Sequence, residues 1–364
     1  SKTIAFSDQV VTDDAVVAIP IDADLDLQVD LITANQDQTL RLHLNDDASW
    51  TPDAAQLQLD AIPTGMIAAD LFMVDSSDSG RIKQTAKQRD VGSGKTDYSL
   101  GARHDTVPGL VLFGDFGVQL VQIDMRDETP PDQWLQLIEN QTGLEDLPPV
   151  RSATVGDLEG DGDLDLILGL RDGEVRVRIN RGNRTFFPVE IGSVTVDQKD
   201  SIADMAIADL DRDMDLDVIT IHQSGRVGIL ENLLHLQFRF RLLESVPALK
   251  VAETDERLSV TVEDVDSNVG WDVIATSSEQ SLVAFGNSSD IGTWTVDRVE
   301  TGLGMDAAPA LADFDNDAFM ELVGGRSLLR LGPWGLNEAA VPTGIPTAAQ
   351  HASVADFNND GQVD

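Results

Sequence analysis

Asp157-Leu158-Glu159-Gly160-Asp161-Gly162-Asp163-Leu164-Asp165 runs directly into Leu166-Ile167-Leu168-Gly169. Acidic side chains occupy positions 1, 3, 5, 7 and 9 of this stretch, and an apolar strand-like segment follows. The same pattern, D-x-D-x-D-x-x-x-D and then an apolar run, returns along the chain. It is carried by Asp22, Asp24, Asp26 and Asp30 before Leu31-Ile32-Thr33, and by Asp209, Asp211, Asp213, Asp215 and Asp217 before Val218-Ile219-Thr220. Asp264, Asp266, Asn268 and Asp272 precede Val273-Ile274-Ala275, and Asp313, Asp315, Asp317 and Glu321 precede Leu322-Val323-Gly324. A last copy, Asp356, Asn358, Asp360 and Asp364, ends the sequence.

The copies starting at 157, 209, 264, 313 and 356 lie 52, 55, 49 and 43 residues apart, a period that signals a repeat array. The interval from 22 to 157 holds one degenerate copy. Gly65-Met66-Ile67-Ala68-Ala69-Asp70-Leu71-Phe72 supplies its leading strand and first Asp, and Gly109-Leu110-Val111-Leu112-Phe113-Gly114 the strand after the loop. A long segment, about 75–107, stands where the acidic loop would be. Asp70 alone is not read as a site.

Between the acidic stretches every element reads as strand. Gly173–Ile179, Leu40–Leu44 and Phe238–Leu242 alternate with period two, as half-buried antiparallel strands do. Asp172-Gly173, Ser224-Gly225 and Arg181-Gly182-Asn183 punctuate them as turns. Four short strands per repeat is the pattern of a propeller blade. The expectation is an all-β fold, a β-propeller of seven blades in one domain spanning 1–364, with an incomplete last blade. Strand material near Thr3–Phe6 and Val10-Val11 could close that ring. Six blades is the alternative.

The acidic stretches have the chemistry of a hard-cation site. Calcium takes six to eight oxygen ligands, mixing carboxylates with backbone carbonyls. Oxygens at positions 1, 3, 5 and 9 fold around one point, and position 7 can offer its carbonyl whatever its side chain. That accounts for Gln28, Asp163, Asp215, Gly270, Phe319 and Gln362 at position 7. One such run is commonly a solvated turn, whereas six in phase, each between strands, point to a metal-binding repeat. With no His or Cys among the ligands, calcium is expected rather than a transition metal. Position 6 is expected to need positive φ, which suits Gly162 and Gly361. Leu27, Met214, Val269 and Ala318 there predict strain unless the turn differs.

Composition narrows the function classes. The chain has 64 acidic against 25 basic residues, a formal charge of −39. Such a body repels nucleic acid and anionic membrane, so neither is an expected partner. No Cys is present, which excludes disulfides and thiolate chemistry. No apolar run reaches the roughly 18–20 residues of a membrane helix, and no signal peptide opens the sequence at Ser1-Lys2-Thr3-Ile4.

Ala355-Asp356-Phe357-Asn358-Asn359-Asp360-Gly361-Gln362-Val363-Asp364, with Ala208-Asp209-Leu210-Asp211 and Ala312-Asp313-Phe314-Asp315, resembles the FG-GAP/VCBS repeat family. Asn180-Arg181-Gly182 with Phe186-Phe187 resembles that family's N-x-G-x-F element. The resemblance spans nearly the whole chain. It implies a calcium-stabilised propeller like those of integrin α-subunit heads, commonly extracellular or periplasmic and often a recognition module. It implies no reaction.

Other motifs add little. His43, His104, His222, His235 and His351 show no metal or triad spacing, and no phosphate-binding or nucleophile-elbow motif is present. The 75–107 segment carries Arg81, Lys83, Lys87, Arg89, Lys95 and Arg103 and the single tyrosine, Tyr98; it is read as a flexible basic insertion in the second blade. The expected function is a non-catalytic interaction or adhesion module for a protein or glycan partner. A lectin or polysaccharide lyase is the alternative, weakened because Trp50, Trp134, Trp271, Trp294 and Trp334 hold no common repeat position.

Overall fold

The structure is a computed structural model. It describes residues 11, 14–46, 49–69, 71–73, 106–107, 109–125, 129–139, 141–182, 184–189, 191, 200–233, 235–251, 257–287, 294–299, 309–324, 327–332, 337–338 and 354–357.

Five of the acidic stretches, those starting at 22, 157, 209, 264 and 313, join the first strand of a four-stranded antiparallel sheet to the second. Blade 1 is β1 (Ala15–Ile21), β2 (Asp30–Asn35), β3 (Thr39–Asp46) and β4 (Ser49–Gln58), hydrogen-bonded in that order. Blade 2 begins with β5 (Gly65–Ala68). The chain then leaves the sheet through a short ribbon, β6 (Phe72–Met73) paired with β7 (Thr106–Val107), and returns as β8 (Gly109–Gly114), β9 (Gly117–Ile123) and β10 (Leu135–Leu137). Blade 3 is β11 (Val150–Gly156), β12 (Asp165–Leu170), β13 (Val175–Asn180) and β14 (Phe186–Val189). Blade 4 is β15 (Ile202–Ala208), β16 (Asp217–His222), β17 (Val227–Asn232) and β18 (Phe238–Leu242). Blade 5 is β19 (Ser259–Glu263), β20 (Asp272–Thr276), β21 (Ser281–Gly286) and β22 (Trp294–Val299). Blade 6 is β23 (Ala310–Ala312), β24 (Glu321–Gly324), β25 (Ser327–Arg330) and β26 (Asn337–Glu338).

The described residues therefore form a six-bladed propeller, the alternative reading; the seven-bladed expectation is corrected. The Asp356 copy is the seventh repeat of the sequence pattern. Its described residues, 354–357, form no strand and act instead as a seam. Val354 packs on the apolar cluster of Ala310, Ala312, Phe314, Val323 and Leu328 in blade 6. Three residues on, the Phe357 carbonyl accepts from Asn45 Nδ2 of blade 1 at 2.7 Å, and its ring lies 5.8 Å from that of Trp50. The core of the expected insertion, residues 74–105, lies outside the described residues, while β6 and β7 show where it departs.

Second strands are buried on both faces because each blade is covered by its neighbours. Every residue of β8, β12, β16, β20 and β24 is buried, which explains their unbroken apolar sequence. The apolar clusters lie between blades. Leu158, Ile167, Val177 and Ile179 of blade 3 meet Ile202, Met205, Val218 and Leu230 of blade 4. Blade 5 meets blade 6 through Val265, Ile274 and Val283 against Leu322, Leu329 and Leu331. Each blade thus depends mainly on its neighbours, as in other repeat folds. β13, expected to be half-exposed, is more buried than its alternation implies. Arg178 folds its guanidinium inward, donating to the Gly143 and Val177 carbonyls.

Candidate metal centre

Position 1 organises each acidic loop through its own backbone. Asp22 accepts the N–H groups of Asp26 and Leu27, Asp264 those of Asn268 and Val269, and Asp313 those of Asp317 and Ala318. Asp157 accepts from Gly160, Asp161 and Gly162, and Asp209 from Met214. Position 5 repeats the device two residues on: Asp26, Asp161, Asp213, Asn268 and Asp317 accept from Gln28, Asp163, Asp215, Gly270 and Phe319. These bonds wind the loop tightly, and the winding demands left-handed backbone at two positions, not one. Position 4 (Leu25, Gly160, Arg212, Ser267, Asn316) and position 6 (Leu27, Gly162, Met214, Val269, Ala318) have positive φ in all five loops. The turn does not adapt where Gly is absent. Position 4 was missed because no glycine there is repeated.

Position 9 has a different role. Asp30, Asp165, Asp217 and Asp272 are almost wholly buried, and each is held by two backbone donors. One is the N–H of position 2 (Ala23, Leu158, Leu210, Val265). The other lies at the end of the third strand (Asn45, Asn180, Asn232, Gly286). This carboxylate pins the loop to the sheet. Burial pushes Asp30 and Asp272 up to about 6 and Asp165 and Asp217 up to about 7, with neighbouring loop carboxylates adding to the effect. Such groups ionise reluctantly unless a cation shares the loop.

In four loops three carboxylates present oxygens within 4.8 Å of one another: Asp22, Asp24 and Asp30; Asp209, Asp211 and Asp213; Asp264, Asp266 and Asp272; and Asp313, Asp315 and Glu321. Asp26, Asp215, Asp217, Asn268 and Asp317 stand in those loops outside the groups of three. Asn268 turns its amide to Asp266 and the Gly286 carbonyl. The 157 loop does not gather three of its carboxylates in this way among the described residues; Glu159 is ion-paired with Arg181 at 2.6 Å, and Asp157, Asp161, Asp163 and Asp165 hold their loop places. Of the last loop only Asp356 is described; Asn358, Asp360 and Asp364 lie outside. The donor set fits a hard divalent cation. Asp209 Oδ1 is buried yet has no hydrogen-bond partner, the condition a bound cation relieves.

Two residues that face the loops from the third strand escaped sequence reading. Glu321 pairs in register with Arg330, and the equivalent step after Val218 and Leu230 sets Asp217 beside Glu231. Burial above all raises the pKa of Asp211, with Asp213 and then Glu231 adding to it, and Glu231 is itself held by Arg239. Neither lies within an acidic motif, so only strand register could have found them. His43 and His222 are buried strand residues bonded to Thr33 and Thr220.

Blade 4 and the end of blade 3 also meet through Asn232, whose Nδ2 donates to the Leu158 carbonyl, and blades 3 and 2 through Asn180 and Leu71. The donor of the expected N-x-G-x-F element is thus an inter-blade clamp. Among the described residues three such asparagines, Asn45, Asn180 and Asn232, donate to position 2 of the preceding loop: Phe357, Leu71 and Leu158.

Residues 145–220 match the FG-GAP-like repeat family. No curated protein matches the sequence. Among solved structures the chain is similar to BBS1N, determined in complex with ARL6DN, with TM-score 0.52 and 10% identity over 94% of this chain and 86% of that one. It is similar also to an Agrocybe aegerita lectin that recognises non-reducing terminal N-acetylglucosamine, with TM-score 0.54 and 14% identity over 89% of this chain and 80% of that one. At such identities the likeness is one of fold. The chain is an all-β propeller that carries an FG-GAP-like repeat at residues 145–220, the stretch containing the 157 and 209 loops.

Proposed function

We propose that this chain is a calcium-stabilised propeller that acts as a non-catalytic interaction module in an extracellular or periplasmic setting. The observation that carries the calcium reading is the gathering of three carboxylates within 4.8 Å in four separate loops, all built on one backbone plan. Asp22, Asp24 and Asp30, Asp209, Asp211 and Asp213, and Asp264, Asp266 and Asp272 would hold the ions. Bound calcium supplies the positive charge that lets buried position-9 carboxylates ionise beside their neighbours. Calcium there ties the first two strands of a blade together, leaving the propeller faces for a protein or glycan partner. No helix among the described residues is long and apolar enough to cross a membrane.

Thermal unfolding tests this reading: the protein is heated with millimolar calcium, with chelator, and with magnesium in place of calcium. Ions that bind only the folded chain raise its Tm, each by its own linkage contribution. A rise specific to calcium supports structural sites; no difference between calcium and chelator, with no metal found by elemental analysis, overturns them. A glycan-binding reading draws on the likeness to a lectin and on the exposed ring of Phe187, which has Arg181 over it at 5.8 Å. A glycan array decides it: binding lost in Phe187→Ala supports a sugar site, and a blank array rejects it.

A further inference from the structure

The sixth blade departs from the others in the residue that faces its acidic loop. Its position 9 is Glu321 rather than Asp, and the longer side chain reaches sideways along its register pair to β25. There Arg330 Nε donates to Glu321 Oε1 at 3.0 Å, and the same guanidinium bonds Asp315 and stands 3.7 Å from Asp317. Glu321 and Asp315 are both buried, so this is a paired charge inside the loop rather than a surface contact. In the first, third, fourth and fifth blades the matching oxygen of position 9 takes a backbone N–H instead, from Asn45, Asn180, Asn232 and Gly286. Arg330 therefore takes a role that no other described blade gives to a cation.

Two of the three carboxylates gathered in this loop, Asp315 and Glu321, are the ones bonded to Arg330. A guanidinium presents several N–H donors in a rigid plane and stays charged at any working pH, so it is a permanent counter-ion. A calcium ion in the same loop would have to displace it, leaving a partly buried positive charge beside a divalent cation. That arrangement is costly.

We infer that Arg330 is the resident cation of the 313 loop, so that this blade is held by an internal ion pair and takes no calcium, while the 22, 209 and 264 loops do. The inference rests on the calcium reading of those loops. It divides the blades that gather three carboxylates into two kinds: those of the 22, 209 and 264 loops, which loosen when calcium is withdrawn, and the sixth, which does not. Since the sixth blade adjoins the 354–357 seam, this places a blade held by its own ion pair where the ring is joined to itself.

The test counts calcium bound per chain by equilibrium dialysis with elemental analysis, on the full chain. Asp264→Asn is expected to lose one equivalent, and Asp313→Asn none. Arg330→Met, which keeps an unbranched apolar stem but removes the charge, is expected to gain one equivalent. It is also expected to melt lower than the parent in chelator, with the difference recovered by calcium. Loss of one equivalent in Asp313→Asn overturns the inference alone, and so does a folded Arg330→Met that binds no more calcium than the parent. If neither Asp264→Asn nor Asp313→Asn changes the count, the calcium reading falls and this inference with it. Should Arg330→Met fail to fold, the Asp264 and Asp313 pair still decides the matter.

Discussion

Asn232 joins two blades: its side-chain Nδ2 donates at 3.1 Å to the Leu158 carbonyl of blade 3, while its backbone N–H donates at 2.8 Å to Asp217 of blade 4. The two bonds tie the loop of one blade to the loop of the next. Both donors are buried, so water cannot replace the partners easily. Asn45 and Asn180 repeat the arrangement, and each also reaches the position-8 carbonyl of its own loop, Val29 or Leu164. The side-chain bond does not require an acidic motif in the loop that accepts it. It persists at blade 2, whose loop lacks the repeat but still offers the Leu71 carbonyl.

Asn232→Leu should therefore destabilise the chain while keeping its shape. The buried Leu158 carbonyl is left without this donor, a loss of about 1–3 kcal/mol. Urea unfolding of the parent and variant in chelator checks this. A midpoint that does not move would show that the amide contributes nothing at the blade boundary.

Much of this was legible in the residues. The acidic repeat marked where first strands turn into second strands, and the unbroken apolar runs Leu166–Gly169 and Val218–Thr220 marked strands covered on both faces. Blade number was not legible, because Asp356-Phe357 has the sequence of a loop yet serves as a seam between Val354's cluster and Asn45. The grading of the loops was hidden too. Arg330 lies nine residues past Glu321, and only antiparallel register brings the two together. Strain at position 4 was invisible because Leu25, Arg212, Ser267 and Asn316 share no chemistry.

Removing strain at position 6 should stabilise. Val269 has φ 74° and is 64% exposed, so a β-branched side chain sits in left-handed backbone with little packing in return. That conformation costs a residue with a Cβ about 1–2 kcal/mol, whereas glycine adopts it freely but loses more entropy on folding, about 0.5–1 kcal/mol. Val269→Gly should gain a fraction of a kcal/mol, read as a small rise in Tm, and Val269→Ala should gain less because its Cβ remains. Equal behaviour of the two variants would show that the backbone is not strained there.

Stability without calcium should fall as pH rises through the neutral range. At position 9, Asp30 and Asp272 are pushed up to about 6, and Asp165 and Asp217 to about 7, from the ordinary aspartate value of 3.8, chiefly by burial. A carboxyl whose pKa is higher folded than unfolded keeps its proton longer in the folded chain. Between the two values the folded state binds more protons, so raising pH there lowers stability, and the loss levels off above the folded pKa. In chelator and high salt, Tm should thus decline from pH 5 to pH 8. Added calcium needs the ionised carboxylates, so its effect on Tm should grow over the same window. A chelated protein that gains stability between pH 5 and 8 would contradict the role given to position 9.

The seam makes a prediction that separates closure of the ring from packing within a blade. Phe357 is half-buried, its ring lies 5.8 Å from the Trp50 ring, and its own carbonyl accepts from Asn45 Nδ2. Phe187 is a useful counterpart, since it sits 55% exposed on the outer strand of blade 3. Truncating an exposed side chain shifts stability by within about 0.5 kcal/mol. Loss of an aromatic pair costs roughly 0.5–1.5 kcal/mol beyond the apolar area it covers. Phe357→Ala should therefore lower the urea midpoint clearly more than Phe187→Ala does, with both variants measured in calcium so that the acidic loops are in the same state. Because the seam joins the sixth blade to the first, the loss should appear in every blade at once, as one cooperative transition shifted to lower urea. If the two variants unfold alike, residues 354–357 rest on the ring without holding it closed.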